Sequence, residues 1–163
     1  MAFLIAGVIS YNLFISTTSN IYSMIKVISD YEMIDVKNVL DKLDIECKLD
    51  IIEKVLYQQI EKEYDNFSQN QSSNFDSMVI IPSKNIFKND TNPIGRCLYY
   101  LCEAIEWIHY DLVNLHTKIN KHNLSWISYI TSPNVHAELK TLESHVKVLE
   151  SRFDIYFKTL HIK

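Results

Sequence analysis

The sequence predicts an all-α fold: a helical bundle built on a long antiparallel helical hairpin, about 94–119 and 134–160. Three observations carry this expectation. Two apolar heptad seams run through the second half of the chain. Gly occurs twice and Pro three times in 163 residues, too few for Gly-rich phosphate loops or a turn-rich β fold. Apolar residues make up 47% and charged residues 22%, a balance that suits one globular domain with its own core and excludes both thorough disorder and a polytopic membrane protein.

Residues 2–29 read as the first helix. Ala2–Ile15 is a nearly continuous apolar run of 14 residues, and no charged side chain precedes Lys26. A secretory leader needs a basic start, which is missing. A spanning helix needs about 20 apolar residues, more than this run supplies. The segment is therefore expected to be retained and sheltered by its own core, a partner chain or a bilayer surface, with core or partner preferred over lipid. Phe3, Leu4, Ile5, Val8, Ile9, Leu13 and Phe14 are its expected interaction residues.

Residues 35–64 read as helical in two pieces. Val36, Val39, Leu40 and Leu43 sit at helical spacing in the first. Asp44 is placed to cap the second, where Leu49, Ile52, Val55, Leu56 and Ile60 share a face. Glu46, Lys48, Glu53, Lys54, Glu61 and Lys62 lie opposite, as a solvated surface would. Residues 65–93 then read as a polar loop, with Met78–Ile81 a candidate short strand stopped by Pro82. Asn92 before Pro93 is a helix-start signal.

The hairpin carries the strongest pattern. Ile94, Leu98, Leu101, Ile105, Ile108, Leu112, Leu115 and Ile119 recur at alternating steps of four and three. Val135, Leu139, Leu142, Val146, Leu149, Phe153, Tyr156 and Leu160 repeat the same steps, with Ser132–Pro133 as the expected start. Each seam covers 26 residues, about 38 Å of helix. Setting Ile94 beside Leu160 and Ile119 beside Val135 brings Lys118 to Glu138, Asp111 to His145 and His109 to Glu143. Outside its seam the first helix also carries Tyr99, Tyr100, Trp107, Tyr110 and Val113. It is therefore expected at the centre, with the N-terminal helices on this aromatic side. Lys140, Lys147, Asp154 and Lys158 mark the second as peripheral.

The connection, residues 120–132, is longer than most helix–helix turns and contains Leu124, Trp126, Ile127, Tyr129 and Ile130. Three fates are open to it: folding back on the hairpin, pairing as a minimal two-stranded β element (78–81 with 126–130), or forming a sticky tip for a partner. A structural role is preferred. For the tip, the interaction residues are Leu124, Trp126 and Tyr129.

Chemistry is harder to find. Glu106 and His109 make one Glu-x-x-His step, but a di-metal bundle needs the step on two helices with inward carboxylates, and no second copy exists. His116 and His136 fall opposite each other near His122, which reads as a polar bundle end before it reads as a zinc site. Cys47, Cys97 and Cys102 have no disulfide or metal spacing, and nothing marks a reactive thiol. Phosphate-loop, dinucleotide, zinc-protease and EF-hand motifs are missing. Acids outnumber bases 20 to 16, which argues against nucleic acid as a partner. Ile occurs 22 times and Lys 14 against two Arg and four Ala, the usage of an AT-rich genome such as those of large DNA viruses and some protists.

The expectation is thus a single-domain, non-enzymatic structural or adaptor protein without cofactor or metal. It would pack through apolar helical surfaces against other chains of a large assembly. A virion or minor capsid component of a large DNA virus fits, located inside the cell or internally under the capsid, with residues 2–15 on a partner or a membrane. The alternative is a soluble intracellular regulator that binds a partner helix.

Overall fold

The computed structural model describes residues 2–70 and 92–161. The all-α expectation holds. The chain forms α1 (Ala2–Ser29), α2 (Ile34–Leu43), α3 (Ile45–Asn70), α4 (Pro93–Asn123) and α5 (His136–His161), with a 3-10 turn at Trp126–Tyr129 before α5.

Local chemistry sets several boundaries. Asn92 caps α4 by accepting a hydrogen bond from the Ile94 N–H at 3.0 Å, and Pro93 occupies the first turn, where its missing N–H costs nothing. Asp44 ends α2 in the left-handed region (φ 47°) and donates its N–H to the Leu40 carbonyl, while its own carbonyl accepts from the Lys48 N–H. One residue thus closes α2 and opens α3. Three expected boundaries move, the first being the end of α4, which runs past 119 to Asn123. Residues 65–70, read as loop, continue α3. The fifth helix starts at His136, its N–H bonded to the Asn134 side chain at 3.4 Å, so Asn134 takes the capping place expected of Ser132.

Two antiparallel pairs make the bundle. Tyr11 meets Tyr57 and Tyr22 meets Glu46, eleven residues apart on each helix and in opposite order, so α1 and α3 are antiparallel. On the other pair Lys118 meets Glu138, Asp111 meets His145 and Cys97 meets Thr159, in steps of seven and fourteen, again in opposite order. Tyr31, just past α1, stacks on His116 near the end of α4. Since α1 packs along α4, that contact makes the two parallel. Lys48 of α3 reaches Glu150 of α5 at 3.3 Å and closes the ring of helices. The short α2 crosses one end, against α1 and α5.

The core is continuous. Leu98, Leu101, Ile105, Ile108, Leu112, Leu115 and Ile119 on α4 and Leu142, Val146, Leu149 and Tyr156 on α5 are buried with Ile21, Ile28, Leu49 and Ile52. Val135 and Leu139 are buried at the start of α5, and Phe153 packs half-buried on the same cluster. Helix α4 is central because both α1 and α5 pack along it. Its aromatic side does not take the N-terminal helices, however. Trp107 lies against His145 and Arg152 of α5, and Tyr110 is 65% exposed. The seam already fills the centre, and the aromatic flank is left for the outer edge of the α4–α5 pair.

The β element is not formed at 126–130. Those residues close a 3-10 turn (Ser128 N–H to the Ser125 carbonyl, Ile130 N–H to the Ile127 carbonyl), which uses the donors a strand would offer sideways. Residues 78–81 lie outside the described residues. No helix among the described residues is long and apolar enough to cross a membrane.

Candidate interaction surface

The 120–132 connection does not fold back on the hairpin. Leu124 is 81% exposed, Trp126 73%, Tyr129 92% and Ile130 73%, and Ile127 is also exposed. The structural role preferred from sequence gives way to a displayed tip. The backbone beneath these side chains is tightly bonded. The Leu124 N–H reaches Asn120, the Ser125 N–H reaches His122 and the Thr131 N–H reaches Ile127, at 2.9–3.1 Å. The Ser128 hydroxyl donates to the Ser125 carbonyl at 2.8 Å, and Thr131 Oγ1 lies 3.2 Å from His122 Nε2. Local bonds, not apolar burial, hold the turn in shape. Large side chains are therefore held in water on an ordered platform, a pattern that marks contact surfaces.

The N-terminal expectation divides. Phe14 is 1% exposed and belongs to the chain's own core, which corrects its assignment as an interaction residue. Leu13 is half-buried. Helical spacing decides this, since Phe14, Ile21 and Ile28 repeat every seven residues on the buried face of α1. The side chains of Phe3, Leu4, Ile5, Val8 and Ile9 lie outside the described residues. Because α1 runs parallel to α4, the start of α1 lies at the bundle end opposite the tip.

One flank of the hairpin carries a polar rail. Glu138, His145, Arg152 and Thr159 recur every seven residues on α5, facing Lys118, Asp111, Ala104 and Cys97 on α4. Lys118 Nζ donates to Glu138 Oε1 at 2.7 Å and holds the Glu138 carboxyl below its ordinary range. Asp111 Oδ2 meets His145 Nδ1 at 2.5 Å, with Asp111 only 6% exposed. Burial pushes the Asp111 carboxyl up, against the opposing pull of His145. Arg152 donates to the Tyr100 carbonyl at 2.5 Å, pairs with Glu103 at 3.0 Å and lies 4.4 Å from the Trp107 ring centre. Of the expected pairs, His109 with Glu143 does not form; Glu143 bonds Lys147 one turn on, at 3.4 Å. Sequence reading missed the Arg152 clamp, although the seven-residue recurrence of Glu138, His145 and Arg152 was there to find.

The histidines take separate places. His116 lies against Tyr31, His122 against Thr131, and His136 lines an open groove of about 550 Å³ with Glu32, Ile34, Asp35, Val39 and Pro133. Among the described residues, no group of three or more His, Cys, Asp or Glu is arranged to hold a metal ion. The rail does what ion pairs flanking a coiled-coil seam do, fixing register between two helices.

Fold and surface together define a rigid helical bundle that displays an apolar tip. Similarity then places it: the chain belongs to the family of a protein of Acanthamoeba polyphaga mimivirus described as "Uncharacterized protein L717". The two are 35% identical over 147 residues, covering 88% of this chain and 70% of the relative. The family is thus represented in a large DNA virus. No protein-family profile matches the chain. No solved structure matches it.

Proposed function

We propose that the chain is a non-enzymatic structural or adaptor protein of a large DNA virus, a virion or minor capsid component that docks through apolar surface. The observation that carries this reading is the ordered tip, where Leu124, Trp126, Tyr129 and Ile130 stand in water on a bonded turn. Trp and Tyr are the residues that most often anchor interfaces. The viral relative supports the setting. The polar groups of the bundle support a non-catalytic role, because the described rail is spent on pairing α4 with α5.

The test is recovery of the chain in purified particles, protected from protease until the particles are opened. Trp126→Ser with Tyr129→Ser is expected to fold normally and be lost from particles. Full retention of the folded double variant would remove the reading. A second reading, an intracellular regulator that takes a partner helix, is favoured by one feature, the open groove between α2 and residues 132–139. Under that reading Val39→Asp, within the groove, abolishes function and the tip variant does not.

A further inference from the structure

We propose that the 124–130 tip is a lipid-docking element that seats this end of the bundle in the interfacial layer of a bilayer. The inference rests on the reading of the tip as a docking surface and names its occupant.

Shape is the first argument. Tyr31 is level with His116, yet α4 continues to Asn123 before the tip begins. Those seven residues carry the start of the tip about 10 Å past Tyr31, with Glu32–Asp35 beside Ser132–His136 at its base. The surface is a projection, and a bilayer accepts apolar projections to a depth of roughly 5–10 Å. Its area is small for a protein pair. Aromatic residues offer roughly 150–250 Å² each, so Trp126 and Tyr129, 73% and 92% exposed, leave on the order of 300 Å² between them. Even with Leu124 and Ile130 this stays below the ~800 Å² per partner of a stable protein complex.

Hydrogen bonding is the second. Lipid offers little to an orphaned backbone group, so a segment that leaves water there must satisfy its own. The N–H groups of Leu124, Ser125, Ser128, Ile130 and Thr131 already have chain carbonyls, and the Ser128 hydroxyl is tied to the Ser125 carbonyl, which leaves the N–H groups of Trp126 and Ile127 to the oxygens of the headgroup layer.

Charge is the third. From 112 to 137 the sequence has no Asp or Glu, in a chain of net charge −4. Lys118 is committed to Glu138, and Lys121 stands exposed just below the tip. Of the carboxylates of this end, Glu32 and Asp35 line the groove beside Ser132–His136 at the base of the tip, and Asp30 lies in the α1–α2 turn. A headgroup layer would meet first the aromatic residues of the uncharged 124–130 segment, which favour that layer, with Lys121 exposed just below them.

The experiment is flotation of the full chain with phosphatidylcholine vesicles and, in a second arm, vesicles carrying about one-fifth phosphatidylserine. Tryptophan emission is read in parallel. Expected are co-flotation with both, a blue shift of emission, no more than about fivefold gain from the anionic lipid because Lys121 is the base nearest an uncharged tip, and about tenfold weaker partition for Trp126→Ser/Tyr129→Ser with an unchanged circular dichroism spectrum. No flotation in either arm overturns the proposal, and so does flotation that the double variant leaves intact. The particle assay separates this from the assembly reading. A variant lost from particles without vesicle binding means a protein occupant, which overturns the lipid assignment alone. Tip-dependent vesicle binding with the variant retained in particles keeps the lipid assignment and removes the assembly role.

Discussion

The α4 seam and the tip that follows it contain the same kinds of residue and meet opposite fates. Leu112, Leu115 and Ile119 are almost wholly buried, while Leu124, Trp126 and Tyr129, a few residues on, are almost wholly exposed. The difference is period. Steps of four and three keep every seam residue on one face of the helix, against α5 and α1. Past Asn123 the chain leaves the helix, and its apolar residues have no facing helix to repeat against. Hydrophobicity alone does not decide burial; hydrophobicity in register with a partner does.

The largest effect should come from breaking the seam. Leu112→Asp places an unpaired charge at a site with no exposure and should cost several kcal/mol, enough to unfold the α4–α5 pair, as read by thermal circular dichroism. A variant that melts with the parent would undo the bundle assignment. Trp126→Ser is the matched change in the tip and should move stability by no more than about 0.5 kcal/mol.

Next comes the rail. Asp111→Ala removes the partner of His145 from a nearly closed site and should cost about 1–3 kcal/mol. Asp111→Asn keeps a hydrogen-bonding side chain there and should cost less. The two rail acids should also respond to pH with opposite signs. The Asp111 carboxyl is raised above its ordinary 3.8, chiefly by burial. It therefore contributes stability below that value, and loses it as pH rises through the folded pKa. The Glu138 carboxyl is held below its ordinary 4.5 by Lys118. It contributes stability above that value and loses it as pH falls through the folded pKa. Urea midpoints across the acid range should fall more steeply on acidification for Asp111→Asn than for the parent, and less steeply for Lys118→Met. Three parallel curves would contradict this account.

A modest gain is expected on α1. Thr18 is 2% exposed and its hydroxyl has no hydrogen-bond partner among the described residues. Thr18→Val replaces that buried polar group at similar volume and should stabilise the fold by roughly 0.5–1 kcal/mol, seen as a higher urea midpoint. Destabilisation would mean that the hydroxyl is satisfied after all.

Much of this was legible in the residues. The heptad steps specified both hairpin helices and their register closely enough to pair Lys118 with Glu138 and Asp111 with His145. The Asn92–Pro93 cap was readable because its effect is local. The fate of residues 120–132 was not, since the same Leu, Trp, Ile and Tyr suit a folded-back loop, a strand or a tip. Phe14 was misassigned because an apolar run hides its own period: when nearly every residue is hydrophobic, the buried face of the helix cannot be picked out.

The sequence alone determined the secondary structure and the seam, because both arise from periodicity and short-range hydrogen bonding that travel with the chain. Only the tertiary structure decided which apolar residues are sheltered, which side of α4 meets α1, and that the tip and the N-terminus lie at opposite ends. Those depend on which surfaces remain once α1, α3 and α5 have filled the space around α4, a question of packing that spacing along one chain does not answer.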